Sequence, residues 1–286
     1  MWTRWHDTSR LWQTLPVRRS LGGLILLVAG GLFALAISML WLDRVAFSPT
    51  ASTDATFSII ADEDVRSQIA TLVAQVDAPS LGLSPVALSE TIEGLSDRRA
   101  MAAQMRRFVA EAHAVLIGDS EGPVQILAVE QVQIVRNEAV ALQPAITLPV
   151  TEVGTVAIVD LVVSWTWRIA GVAAVVATLL GFFVRPERGE FVFAFGLGCA
   201  ATGVMLVLMG WLVPAFLLPA LSEDVWMGVF PRLAAHFRNL TLVGAVAFLA
   251  VGGLTTLATS GLRQRRQRST PLATTRYRDD QRWSAR

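Results

Sequence analysis

The sequence predicts an α-helical membrane protein with four transmembrane helices and a small α+β extracytoplasmic domain. Hydrophobic residues make up 53% of its 286 residues and charged residues only 16%, against about 25% charged residues in soluble globular domains. The chain also contains four apolar runs, and each is long enough for the roughly 20 helical residues that cross a bilayer core of about 30 Å. These runs lie at residues 21–42, 161–184, 191–222 and 239–262.

The first apolar run has 22 residues without a charge, whereas the apolar core of a secretory signal peptide has about 7–15. We therefore expect an uncleaved signal anchor. The third run is longer than one span needs. Because proline can bend or end a helix, Pro214 and Pro219 predict that this helix ends before the apolar run does.

The second run contains one charged residue, Arg168, near its start. At that depth a long side chain can extend to the lipid headgroups, and tryptophans beside it are typical of the aromatic belt at a membrane surface. The sequence therefore predicts that Trp165, Trp167 and Arg168 form the outer membrane anchor of this helix. A gating or substrate-binding role for Arg168 is the alternative.

Arginine counts orient the four helices, since short cytoplasmic loops carry an excess of basic residues. Four Arg lie within residues 1–19, two within the turn 185–190, and eight follow residue 260. Both termini are therefore predicted to be cytoplasmic, in a protein of the cell membrane. The predicted segments are a cytoplasmic segment 1–20, transmembrane helix 21–42, an extracytoplasmic domain 43–163, transmembrane helices 164–184 and 191–213, an extracytoplasmic connector 214–239, transmembrane helix 240–262 and a basic cytoplasmic tail 263–286.

The tail begins with a cluster of basic residues, Arg263, Arg265, Arg266 and Arg268. Such a cluster next to a transmembrane helix attracts anionic lipid headgroups. We expect these four residues to form a cytoplasmic anchor on the membrane, with a cytoplasmic protein partner as the alternative. We expect no nucleic acid partner.

The predicted extracytoplasmic domain, residues 43–163, contains 16 acidic residues and 7 Arg. Apolar spacing and capping signals predict three helices in its first half, at 61–76, 84–95 and 98–117, with Gly118 ending the third. After Pro123 the pattern changes and favours β-rich segments. The residues that carry this prediction are Gln125, Leu127, Val129, Ile134, Ile146, Leu148 and residues 156–159.

The sequence contains no recognised catalytic motif. Its three histidines, His6, His113 and His236, lie on separate predicted segments and lack metal-ligand spacing, and we expect His113 to be a packed or solvated helix residue. The acidic run Asp62-Glu63-Asp64 lacks the spacing of a calcium loop and suits the start of a helix instead. We therefore expect no catalytic residue, metal or cofactor, and a protein that is not an enzyme.

The ionisable residues of the predicted spans bear on whether the protein is a carrier. They contain no Asp, Glu, His or Lys, and Arg168 lies at an edge. Carriers coupled to protons or ions place ionisable groups midway across the membrane, so this pattern disfavours such a carrier. In the third span, Gly196, Gly198 and Ala194 predict close helix packing through small residues, and Cys199 is expected to be a buried thiol.

Three stretches of the chain resemble a group of uncharacterised integral membrane proteins of actinobacteria. They are residues 53–57 (TDATF), 61–66 (ADEDVR) and 112–118 (AHAVLIG). The resemblance implies an N-terminal span, an exported region of about a hundred residues, three closely spaced spans and a basic tail. It implies no activity, because none is established for that group.

A sizeable exported domain on spans without polar residues favours one function above others. We expect a non-enzymatic multi-pass protein whose exported domain binds an envelope component or a membrane protein partner, with the lipid bilayer as its surroundings. One alternative is a lipid or small-solute transporter, or an accessory subunit of one. Another is a transmembrane sensor that acts through a partner.

Overall fold

The computed structural model describes residues 16–96, 99–184 and 188–269, and these residues are predominantly helical. The α-helices and strands are α1 (Pro16–Leu42), α2 (Pro49–Asp54), α3 (Thr56–Ile60), α4 (Glu63–Leu81), α5 (Pro85–Ser96), α6 (Arg99–Leu116), β1 (Gln125–Ile126), α7 (Ala128–Val135), β2 (Ile146–Thr147), α8 (Gly154–Phe183), α9 (Arg188–Val207) and α10 (Val229–Ser269). The π-helical segments Asp43–Phe47 and Leu208–Leu217 continue α1 and α9, and short 3₁₀ helices lie at Glu138–Leu142, Pro219–Leu221 and Val225–Gly228.

Within these ranges, four helical segments are long and apolar enough to cross a membrane, as the sequence predicted. They are Leu21–Phe47, Gly154–Phe183, Gly189–Leu217 and Val225–Ser260. Each begins or ends outside its predicted transmembrane segment, most of all the fourth, which begins fifteen residues before residue 240. The limits of the bilayer along these helices stay a prediction.

The described residues form two compact units. The first comprises residues 16–35, 170–184, 188–204 and 245–269. Its helices pack through small residues, as predicted for the third span. A Cβ on Gly30 would lie 3.2 Å from the Cα of Gly198, and one on Gly252 would lie 2.5 Å from the amide nitrogen of Ala200. Only glycine permits such close approach of two helix backbones.

The second unit comprises residues 36–96, 99–169 and 205–244. One hydrophobic core runs through it and contains the apolar faces of α3, α4, α5 and α6. The predicted helix starts and the stop at Gly118 agree with the structure, whereas the predicted end of the first helix at residue 76 is wrong: α4 continues through Pro79 to Leu81 and ends at Gly82, whose φ is 64°. Asp62 caps α4 by accepting hydrogen bonds from the amides of Asp64 and Val65, Ser84 accepts one from Ala87 before α5, and Gly118 follows α6 with a φ of 82°.

The connector after the third span belongs to this same core. Trp226, Met227 and Phe230 are at most 2% exposed and pack with residues of α3, α4 and α6. Arg232 also donates a hydrogen bond through Nε to Asp62 Oδ2 at 3.0 Å. Two segments that share a core cannot be separated by a bilayer. The connector and the segment between the first two spans must therefore lie on the same side of any membrane that the four helices cross.

The predicted β-rich half of the 43–163 segment is wrong in most of its length. Two antiparallel residue pairs, Gln125 with Thr147 and Ile126 with Ile146, form the whole sheet in the described part of the chain. Between the two strands lie α7 and a 3₁₀ helix, and residues 156–159 belong to α8. The segment is therefore mostly helical rather than α+β.

Capping explains why the apolar residues after Leu127 form a helix. The carboxylate of Glu130 accepts a hydrogen bond from the Leu127 amide at 2.9 Å, and the Leu127 carbonyl accepts one from Gln131 at 2.9 Å. These bonds satisfy backbone groups that the start of a helix would otherwise leave unpaired. Glu130, Gln131 and Ile134 then face the core, with the helical rather than the alternating period.

We predict different effects on stability from alanine substitutions at Gly252 and Gly253 of α10. Gly252→Ala places a methyl group against the backbone of α9, which cannot rotate away, and should lower the free energy of unfolding by about 1–3 kcal/mol. Gly253→Ala is the matched control, because no atom lies within 4 Å of its Cβ position. Thermal unfolding in detergent measures both variants. Equal stability of the two would contradict the helix packing described here.

Candidate functional site

The three predicted anchor residues of the second span lie together on α8, near one end of its second-unit portion. The guanidinium carbon of Arg168 is 5.2 Å from the ring centroid of Trp167 and 6.0 Å from that of Trp165. Its Nη1 is 3.4 Å from Ser164 Oγ. A cation over an aromatic face is stabilised by the ring's electrons. The group is suited to a membrane surface, although its place in a bilayer stays a prediction.

The other three membrane helices carry similar residues within the second unit. Trp41 of α1 donates its indole N–H to Thr241 Oγ1 of α10 at 2.9 Å, and its ring lies against Gly210, which leaves no room for a Cβ there. The Arg238 guanidinium lies 5.2 Å from the ring centroid of Trp211. These contacts join the first, third and fourth helices through Trp and Arg side chains.

An electrostatic interaction links Asp43, near the end of the first span, to Arg168 on α8. Asp43 follows Trp41 by two residues, and the charges of Arg168 and Asp119 act on it. The Trp and Arg residues of these contacts are here called the interfacial belt: Trp41, Trp165, Trp167, Arg168, Trp211 and Arg238. Tryptophan and arginine concentrate at membrane surfaces because their apolar bodies enter the lipid and their polar tips meet water.

Three carboxylates lie beside this belt. The charges of Asp119, Asp43 and Arg168 all act on Asp160, so the four side chains form one electrostatic cluster at the ends of the first two spans. Among the described residues there is no group of three or more His, Cys, Asp or Glu that could hold a metal ion. The cluster is acidic surface close to the predicted bilayer.

A separate carboxyl group is buried inside the second unit. Asp77 of α4 is fully buried, and neither of its carboxyl oxygens has a hydrogen-bond partner among the described residues. Burial raises the pKa of Asp77 to about 6, because an unpaired charge is costly away from water. No sequence signal distinguishes Asp77 from an ordinary surface carboxylate, and the sequence analysis did not single it out.

His113 is a packed helix residue, one of the two roles expected for it. Its ring is fully buried, Nε2 donates a hydrogen bond to the Ala46 carbonyl at 2.9 Å, and the ring lies edge-on to Phe230. Burial lowers its pKa to about 4, so the ring is neutral near pH 7. It joins α6 to the end of the first span and to the start of α10.

Arg107 holds the short sheet and α7 against α6. It makes a forked pair with Glu130, at 2.8 Å from Nε and 2.6 Å from Nη2, and it also binds Glu111 and the Gln125 carbonyl. The hydrogen bonds that Arg107 donates to Glu130, and then to Glu111, hold the pKa of Arg107 above its usual range. The sequence showed only the pair with Glu111, four residues away on the same helix.

An open apolar groove of about 500 Å³ lies on the π-helical end of the third span. All of its lining residues come from that one segment: Leu208, Met209, Leu212, Val213, Phe216 and Leu217. A transport pathway would instead open between helices. The groove is therefore a shallow surface of a single span.

The predicted basic anchor lies at the end of α10, whose backbone is described as far as Ser269. The side chains of Arg263, Arg265, Arg266 and Arg268 lie outside the described residues, as do the N-terminal segment to residue 15, residues 185–187 of the cytoplasmic turn, and the tail after Ser269. The predicted lipid contact of this anchor stays a prediction.

The four long apolar helices define the chain as a multi-pass membrane protein. No known protein family, curated protein sequence or solved structure matches it. The resemblance to actinobacterial membrane proteins stays a prediction.

Replacing Asp77 tests its unusual environment. A raised pKa in the folded state means that folding is most stable below the unfolded pKa of about 4 and loses up to about 3 kcal/mol as the pH rises through about 6. At pH 7.5 the Asp77→Asn variant should therefore be more stable than the wild type, and at pH 4 the difference should vanish.

Denaturant unfolding at both pH values measures this effect, with the exposed Glu138→Gln as control. An Asp77→Asn variant with the pH profile of the wild type would show that burial does not raise the pKa of Asp77 in the folded protein.

Proposed function

We propose that this chain is a non-enzymatic protein of the cell membrane whose second unit lies outside the cytoplasm and binds an envelope component or another membrane protein. The observation that carries the proposal is the shared core of the connector and the 43–163 segment. Trp226 and Phe230 fill that core, and Arg232 pairs with Asp62. The binding unit is thus fixed to the third and fourth spans as well as to the first two, rather than held on a flexible tether.

The arginine distribution supports the orientation. With both termini in the cytoplasm, 14 of the 24 Arg residues lie in the N-terminal segment, the turn 185–190 and the tail, as the positive-inside rule requires. The same-side constraint from the shared core agrees with this arrangement, because it puts both larger loops outside together. The interfacial belt supports an outer bilayer surface close to Arg168.

Exposed apolar residues on the second unit support a binding role. Leu142 is 96% exposed, and Val129 and Val86 are 69% and 68% exposed, all of them well away from the belt in sequence. Large apolar side chains on a water-facing surface are characteristic of binding sites when they lie together. Leu142 and Val129 belong to neighbouring helical segments between the two short strands.

The sensor alternative has one observation in its favour. Asp77 would change its charge near pH 6 in a unit that faces the cell exterior, and such a change could report envelope acidity through a partner. The transporter alternative would require an opening between spans. The apolar groove on the third span is not of that kind, because a single helix lines it.

Photo-crosslinking in living cells tests the proposal. The chain contains no lysine, so amine-reactive reagents would miss this surface. A photoreactive amino acid at Val86, Val129 or Leu142 should give adducts with an envelope component or membrane protein, whereas the same residue at Gln264 of the tail should not capture that partner. If no position on the second unit captures anything, the proposed function is wrong.

Trp226→Ala tests whether the shared core holds the connector in the second unit. Loss of a fully buried Trp should cost about 3–5 kcal/mol and release the connector, so trypsin should cut after Arg232 or Arg238 much faster. The neighbouring Val225→Ala is the control, because Val225 is 38% exposed. Limited proteolysis of the full-length protein in membranes measures both variants. Equal resistance of the two would show that the shared core does not hold the connector in place.

A further inference from the structure

The second span has an unusually regular exposed face. Val162, Ile169, Val176 and Phe183 recur every seven residues, and so do Ile158, Trp165, Val172 and Leu179. The two series alternate with spacings of three and four residues along the single helix α8. All eight side chains are exposed, by 49–83%. An apolar three-four repeat over this length is the pattern with which one helix packs along another.

Lipid alone satisfies only part of this face. Ile158 precedes Arg168 of the interfacial belt by ten residues, or about 15 Å along a helix, and Val162 precedes it by about 9 Å. The headgroup layer on one side of a bilayer adds only about 5–8 Å to the hydrocarbon core. The predicted span begins at residue 164, so Val162 lies about 3 Å and Ile158 about 9 Å outside it along the helix. Ile158, 63% exposed, therefore extends beyond the headgroup layer toward water.

The surroundings of the face are compatible with a copy of the same helix. With Val162 and Ile169 as one core series, the charged Asp160 falls on the far side of α8 and Arg168 on the flank, so equal charges do not meet across the contact. Three of the four residues in this series, Val162, Ile169 and Val176, are branched, which suits a parallel pair of helices. In a second copy the apolar overhang has the same length and the same position above the membrane.

The available area is close to what a stable pair needs. Full burial of an apolar side chain corresponds to roughly 60–120 Å² of apolar surface, so eight side chains exposed by 49–83% offer about 300–600 Å² per copy. Specific interfaces bury at least about 1,000 Å² in total, and the exposed neighbours Leu161, Val175 and Leu180 add to the face.

We propose that the exposed face of α8 docks a second copy of this chain, with two α8 helices packed in parallel and their apolar overhangs buried against each other outside the lipid. Within the hydrocarbon core, lipid tails solvate these side chains as well as a partner does. The overhang therefore supplies the hydrophobic driving force, and the membrane part of the repeat sets the register.

Cysteine crosslinking of the full-length protein in its native membrane tests this pairing. Cys199→Ser removes the natural cysteine, and single cysteines then replace Val162 or Ile169. Disulfide formation requires Cβ atoms about 3.5–4.5 Å apart, which core positions of a parallel pair approach. Under mild oxidation both variants should give a covalent dimer of this chain on a non-reducing gel.

Two controls distinguish specific pairing of two copies from random collision in the membrane. Ser164→Cys lies on another side of the same helix, and Leu142→Cys is the more exposed position, at 96%. Each should form at least about tenfold less dimer than Val162→Cys, because neither can approach its own copy across the proposed contact. Dimer yields from the controls that equal those at Val162 and Ile169 would overturn the proposal.

A second variant tests the overhang without touching the core. Ile158→Asn should lower the dimer fraction at least about threefold in single-molecule counting of labelled protein in nanodiscs, since it removes apolar area only where lipid is absent. Leu83→Asn is the matched surface control, because Leu83 is 49% exposed and lies outside the proposed contacts, and it should leave the fraction unchanged. A monomeric wild type would overturn the proposal. A photoreactive group at Trp165 that captures only lipid or a different protein would also overturn it, because α8 would then have another neighbour.

Discussion

Burial of Trp226 and Phe230 ties the end of the third span and the start of the fourth to helices that follow the first. These two aromatic side chains lie in the same core as Ile59, Val65 and Phe108, which precede them by more than a hundred residues. A core of this kind forms only if all four spans are inserted and both loops are on one side. Insertion of the four spans and folding of the second unit therefore depend on each other.

Polar groups inside this unit differ in how well they are satisfied. Arg107 uses its whole fork on Glu130, Glu111 and a backbone carbonyl, so it stabilises the α7 segment with little buried charge left unpaired. His113 makes one backbone bond and stays neutral. Asp77 has no partner in the described part of the chain, so its ionised form opposes folding. The unit thus tolerates buried polar atoms without a hydrogen-bond partner among the described residues, including both carboxyl oxygens of Asp77 and the indole nitrogen of Trp226.

Local signals in the sequence predicted the spans, the helix start at the acidic run Asp62-Glu63-Asp64, the Ser84-Pro85 start and the Gly118 stop, because each depends on a few neighbouring residues. The failures depend on distant ones. Nothing near Glu130 shows that Arg107 will pair with it from another helix. The apolar residues after Pro123 were therefore interpreted as strands, although the Glu130 cap and the burial of Ile134 make that segment helical.

The same limit applies to the candidate sites. Trp165, Trp167 and Arg168 could be found from composition, and the structure brings them together. The contacts of Trp41 with Thr241 and of Arg238 with Trp211 form only when the first, third and fourth helices pack together, and no local pattern predicts them. Trp226 has no mark of a core residue in sequence, since it lies in a short segment with Glu223 and Asp224 between two apolar runs.

Accessibility of single cysteines in whole cells tests most directly whether the connector and the 43–163 segment form one unit outside the cytoplasm. In a Cys199→Ser background, cysteines replace the exposed Glu121 and Glu223 and, in the tail, Gln264. A membrane-impermeant maleimide should label positions 121 and 223 in intact cells and position 264 only after permeabilisation. Labelling of only one of the first two would contradict the shared core, and labelling of position 264 alone in intact cells would invert the orientation.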